Sequence, residues 1–123
     1  MRIAIVDDSA IFRRRLTSLL SMLGHSICGL AENGVIGAEV VLSQLPDVAI
    51  IDNELPEKDG LVCVKMIRFS NCSTRIIVVS TGLTPERAME LSRVGTDAML
   101  LKPICESKLF IMLSQFSLSH KLA

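Results

Sequence analysis

The sequence has no surplus of either charge: 13 Lys and Arg residues balance 13 Asp and Glu residues. A neutral chain gives no electrostatic reason to expect direct binding to DNA, RNA or an anionic membrane. It also has no apolar run near the roughly 18 residues that span a bilayer. Met1 to Val6 runs straight into Asp7 and Asp8, without the long apolar core or small-residue cleavage site of a signal peptide. These absences point to a cytoplasmic protein. No Cys-x-x-Cys pair is formed by Cys28, Cys63, Cys72 or Cys105, which argues against a zinc site or a disulfide framework and for free thiols in a reducing compartment. His25 and His120 read as surface residues and not as ligands. There is no internal repeat, linker or low-complexity segment. Tyrosine and tryptophan are absent altogether.

What is present is apolar and regularly punctuated. Hydrophobic residues make up 50% of the 123 positions, enough for one domain with a core that needs no staples. Five short apolar runs read as strands: Ile3 to Val6, Ser26 to Ala31, Val48 to Ile51, Ile76 to Val79 and Ala98 to Leu101. Longer segments between them carry helical spacing. The first places Phe12, Leu16, Leu19, Leu20 and Leu23 on one face and stops at Gly24. The second runs from a cap at Asn33 to Leu45, where Pro46 ends it. The third starts near Asp59 and carries Val62, Cys63, Met66 and Ile67. The fourth has Thr84 as N-cap and Pro85 at its first position, with Gly95 past its end. The fifth spans about Glu106 to Phe116. Such alternation predicts a doubly wound α/β fold, a parallel sheet with helices on both faces. Ligands of such sheets bind beyond the carboxyl ends of the strands.

The residues just past those strand ends share a chemistry. Asp7 and Asp8 follow the first strand, Asp52 the third, Ser80 and Thr81 the fourth, and Lys102 with Pro103 the fifth. Three converging carboxylates stay ionised only around a cation. Oxygen ligands of this kind select a hard ion such as Mg²⁺. A carboxylate is a competent nucleophile toward phosphorus, and Lys102 and Ser80 would hold the phosphoryl oxygens. Taken alone, Asp8 or Ser9 would be read as an N-cap and Lys102 as a surface lysine. The set as a whole argues otherwise.

The chain resembles the receiver domain of bacterial two-component response regulators, of the chemotaxis-regulator type. The matching pieces are Ile5-Val6-Asp7-Asp8-Ser9, Pro46 to Asp52, Leu55-Pro56-Glu57-Lys58-Asp59-Gly60, Val78-Val79-Ser80-Thr81 and Leu101-Lys102-Pro103. The resemblance implies a flavodoxin-like sheet of five strands in the order 2-1-3-4-5 with five helices. It implies that Asp52 is the phosphoacceptor and that Asp7, Asp8, Asp52 and the backbone carbonyl of Glu54 hold Mg²⁺. It also implies that Lys102 pairs with the phosphoryl group, that Ser80 is a switch hydroxyl, and that the Lys102–Pro103 peptide is cis. The donor would be a histidine kinase or a histidine phosphotransfer protein. The domain would occupy residues 1–118, with 119–123 a frayed tail or cloning remnant.

The chain departs from that pattern in three places. Met99 stands where the family usually has the aromatic of its switch. Thr81 follows the switch hydroxyl where a smaller residue is usual. Glu54, two residues past the acceptor, is placed to reach over the site. A second reading therefore stays open, a receiver-like scaffold or dimerisation module that works without phosphorylation. A hydrolase of the haloacid dehalogenase type would need Asp-x-Asp after the first strand. A flavin carrier would need a hydroxyl- and glycine-rich first loop in place of Asp7-Asp8. Arg13-Arg14-Arg15 is a candidate docking patch or a solvated helix face. Leu109 to Leu113 is a run of apolar residues too broad for one helical face, so Phe110 and Ile111 are expected at an interaction surface near the fourth and fifth helices. That surface would serve a dimer or a fused effector domain.

Overall fold

The computed structural model describes residues 1–56 and 59–122, with side chains as far as Ser119. Glu57 and Lys58 of the Leu55–Gly60 motif, the His120 side chain and Ala123 lie outside the described residues. Strands β1 (Arg2–Val6), β2 (Ser26–Ala31), β3 (Val48–Asp52), β4 (Arg75–Ser80) and β5 (Ala98–Leu101) alternate with helices α1 (Ala10–Met22), α2 (Gly34–Gln44), α3 (Gly60–Phe69), α4 (Pro85–Arg93) and α5 (Glu106–Leu122). All strand pairs are parallel, in the order β2-β1-β3-β4-β5. The expected fold class and strand order are therefore observed.

Alternate side chains of each inner strand point to opposite faces, and this builds two cores. Ala4, Val6, Ala49, Ile51, Ile76 and Val78 pack with Ala38, Val41, Cys63, Val64 and Ile67 of α2 and α3. Ile3, Ile5, Val48, Ile50, Ile77 and Val79 pack with Leu16 and Leu20 of α1 and Leu109 and Leu113 of α5. Each buried Ile or Leu contributes about 2 kcal/mol relative to exposure. Burial on both faces suits the apolar runs of the three inner strands, whereas β2 and β5, at the edges, are partly exposed.

The helix starts carry their own signals. Side chains of Ser9, Asn33, Asp59 and Thr84 each accept the backbone N–H three residues on, from Phe12, Ile36, Val62 and Arg87. Each such cap contributes about 1 kcal/mol. At the other ends, Gly24 and Gly95 have positive φ, 90° and 105°, a conformation that glycine adopts without steric cost. Helix α5 is longer than its apolar spacing predicts, with backbone helical to Leu122 and not ending near Phe116. Loss of an apolar period removes a packing signal, not helicity, and the segment from Ser117 to Leu122 contains no Gly or Pro. Phe116 is held beneath the Arg75 guanidinium, 5.5 Å from ring centre to Cζ.

The amino edge of the sheet is tied by a polar cluster. Arg68 of α3 donates to the carbonyls of Gly95 and Cys72 and pairs with Asp97 at 3.0 Å. Asp97 also accepts the Ile76 N–H at 2.8 Å and pairs with Arg75 at 3.3 Å. This cluster joins α3, β4 and the turn before β5 at the end of the sheet opposite the acidic residues.

Candidate phosphoacceptor site

Strand register brings the acidic residues together. Val6 pairs with Ile51, so the next residues, Asp7 and Asp52, stand side by side. This is where strand order reverses between β1 and β3, the position at which doubly wound sheets bind ligands. Asp52 pairs with Val79 and Ser80 with Leu101, which brings Ser80 and Lys102 to the same edge. Asp7, Asp52 and Ser80 are only 1%, 3% and 0% exposed, while Asp8 is exposed.

Each group is held by named partners. Asp7 accepts the Ser9 N–H at 2.8 Å through Oδ1 and Lys102 Nζ at 2.8 Å through Oδ2. Lys102 Nζ also lies 3.4 Å from Asp52 Oδ2. Asp52 Oδ1 accepts the Glu54 N–H at 3.1 Å. The Lys102–Pro103 peptide is cis, and the Lys102 N–H donates to the Ser80 carbonyl at 2.8 Å. Carboxylate oxygens of Asp7, Asp8 and Asp52 all lie within 4.8 Å of one another. That arrangement of hard oxygen donors, one of them open to solvent, fits a divalent cation.

The electrostatics carry the mark of this crowding. Burial, then the Glu54 and Asp7 carboxylates, push Asp52 up to about 7 from an ordinary 3.8, against the opposing pull of Lys102 and the Glu54 N–H. Burial alone would lower Lys102, but the adjacent Asp7 and Asp52 outweigh it and raise it above its usual value. Burial would raise Glu54, but the hydrogen bonds it receives hold it below the usual carboxylate range.

Several site contacts have no plain sequence signal. The Phe12 ring lies under Lys102, with Nζ 4.2 Å from its centroid, a cation–π contact that fixes the ammonium. Phe12 reads from spacing as a core residue of α1. Arg13 donates to the Asp7 carbonyl, so one member of the arginine run braces the site while Arg14 and Arg15 are exposed. Glu54 accepts the Ser80 hydroxyl at 2.6 Å, the Thr81 N–H at 3.2 Å and the Thr81 hydroxyl at 3.0 Å, all through Oε1. Met99 is half-buried and packs with Leu83 and Val94 against the α2–α3 core. Phe110 and Ile111 are 53% and 55% exposed, away from the acidic site.

Known proteins share this architecture. A family model described as the response regulator receiver domain matches residues 3–114. The chain is 35% identical over 106 residues to a protein-glutamate methylesterase/protein-glutamine glutaminase of Archaeoglobus fulgidus, covering 84% of this chain and 30% of that protein. It is 28% identical over 116 residues to the chemotaxis protein CheY of Thermotoga maritima, covering 94% of this chain and 97% of that one. The solved receiver domain of the putative response regulator NarL from Mycobacterium tuberculosis superimposes with a TM-score of 0.87 at 26% identity, over 93% of each chain. The chain spans less than half the length of several curated relatives it matches. No described helix is long and apolar enough to cross a membrane. Fold, acidic edge and family match agree: the chain belongs to the response regulator receiver domains, the phosphorylation-controlled switches of two-component signalling.

Proposed function

We propose that Asp52 is the residue that accepts the phosphoryl group. The observation that carries this reading is its position, a buried carboxylate beside Asp7 and within reach of Lys102 at the reversal point of the sheet. Asp7, Asp8 and Asp52 would hold Mg²⁺, with the backbone carbonyl of Glu54 as a further ligand. Bound there, the ion supplies positive charge that keeps the carboxylates ionised and offsets charge on the phosphoryl group. The Asp52 oxygen bonds to phosphorus as the bond to the donor nitrogen breaks, and the electron pair leaves with the donor imidazole. Lys102 takes a phosphoryl oxygen from the β5 side. Ser80 and Met99 form the switch.

The donor in this reading is a histidine kinase or a histidine phosphotransfer protein in the cytoplasm. The domain itself contacts neither nucleic acid nor membrane. Phe110 and Ile111 mark the surface near α4 and α5 through which a second copy or an effector domain is engaged. The domain catalyses only its own phosphorylation and dephosphorylation, and any further enzymatic or DNA-binding activity would belong to a fused partner.

The test is direct. Incubation with acetyl phosphate and Mg²⁺ adds one phosphoryl mass to the wild-type protein, and both Asp52→Asn and EDTA abolish it. Undiminished incorporation in Asp52→Asn moves the acceptor elsewhere.

A further inference from the structure

Glu54 does something other than approach the acceptor. Its Oε1 gathers three donors at once, the Ser80 hydroxyl, the Thr81 N–H and the Thr81 hydroxyl. Ser80 is fully buried, so its single hydroxyl hydrogen has few acceptors to choose from. One is Glu54 at 2.6 Å and the other is the Gly82 carbonyl at 2.9 Å. Glu54 is thus an anion seated on the donors at the carboxyl end of β4, beside Asp52.

We propose that Glu54 is an internal stand-in for the phosphoryl group, holding Ser80 and Thr81 until the phosphoryl group replaces it. The inference rests on Asp52 being the phosphoacceptor. One hydroxyl hydrogen cannot serve two anions, and two anions on one set of donors repel. Phosphorylation is therefore an exchange at Ser80, not the filling of an empty site. Glu54 has somewhere to go. It is an exposed residue at the rim of an open cleft of about 430 Å³, lined also by Asn53, Asp59 and Arg87. The exchange also gives Ser80 a reason to sit inward before any signal arrives, and it needs no aromatic at the position of Met99.

A double-mutant cycle tests this, using beryllofluoride at saturating Mg²⁺ as the phosphoryl-shaped probe and calorimetry as the readout. Four proteins are compared: wild type, Glu54→Ala, Ser80→Ala and the double variant, each checked for a cooperative thermal transition. Glu54→Ala is expected to bind the probe about tenfold more tightly, the scale of one charge-assisted hydrogen bond no longer surrendered. Ser80→Ala is expected to weaken binding markedly in the Glu54→Ala background and only slightly in the wild type, where the hydroxyl merely trades one anion for another. Plain charge repulsion by Glu54 makes a different forecast, with the Ser80→Ala effect equal in both backgrounds. That equality, or an unchanged affinity in Glu54→Ala, overturns the inference while leaving Asp52 as the acceptor. Failure of all four proteins to bind the probe removes the phosphoacceptor reading, and the exchange with it.

Discussion

Lys102 stands closer to Asp7 than to Asp52, its Nζ 2.8 Å from one carboxylate and 3.4 Å from the other. The ammonium thus occupies the same carboxylate that a metal ion needs. Removing it should have opposite effects on the two ligands of the site. Lys102→Ala is expected to bind Mg²⁺ about tenfold more tightly by calorimetry at low salt, because a competing cation is gone. Its incorporation from acetyl phosphate should fall by roughly a hundredfold, the scale of losing one group that stabilises transferring charge. Unchanged Mg²⁺ affinity would show that the ammonium and the ion do not compete.

Burial raises Asp52 to about 7 in the folded protein, with Glu54 and Asp7 adding to the effect. A carboxyl raised on folding binds its proton more tightly in the native state than in the unfolded chain. Ionising it therefore removes stability as pH climbs from about 4 through about 7. Asp52→Asn abolishes that loss. Without metal, the variant should melt several degrees above the wild type near pH 8, with the difference shrinking toward pH 5. Saturating Mg²⁺ should narrow or reverse the gap, since only the wild type keeps all three carboxylates for the ion. A pH-independent gap would count against the raised value.

Gly60 opens α3 where the chain returns beside β3. A Cβ there would lie 2.5 Å from the Asp52 carbonyl oxygen and 2.7 Å from the Asn53 Cα. Both are backbone atoms of the loop that leaves β3, and neither moves aside cheaply. Gly60→Ala is expected to lose about 2 kcal/mol or more in urea unfolding, and to lose acetyl phosphate labelling because the displaced loop carries Asp52 and the Glu54 carbonyl. Labelling at the wild-type rate would mean that the loop tolerates the shift.

Ile111 is 55% exposed, whereas Leu109 and Leu113 on the same helix are buried. Ile111→Ser should change unfolding free energy by no more than about 0.5 kcal/mol. If this face engages a second copy when the domain is activated, the variant should lower the dimer fraction seen by sedimentation in Mg²⁺ and beryllofluoride. Equal dimer fractions, or a strictly monomeric wild type, would restrict the face to effector binding.

The fold was legible because its signals are local. Asn33, Asp59 and Thr84 cap the helices they precede, and the apolar runs of β1, β3 and β4 are the buried inner strands. The acidic edge was legible because strand ends in a parallel sheet share one side, so Asp7, Asp52, Ser80 and Lys102 can be placed without coordinates. Contacts that depend on side-chain reach were not legible. Nothing in the spacing of Phe12 separates a core ring from one beneath Lys102. Glu54 was evidently near the site, but its three donors depend on a rotamer and on the path of the Ser80–Gly82 turn. The extension of α5 past Phe116 was not legible because polar residues can extend a helix without announcing a buried face.

The Arg68–Asp97 tie closes the edge of the sheet opposite the acidic residues and touches none of them. Natural selection can therefore act on the two edges separately. Substitutions around Arg68 and Asp97 can adjust the temperatures at which the domain survives without touching any carboxylate of the acidic edge. A descendant in a hotter or colder habitat can keep the timing of its signal and change only its endurance.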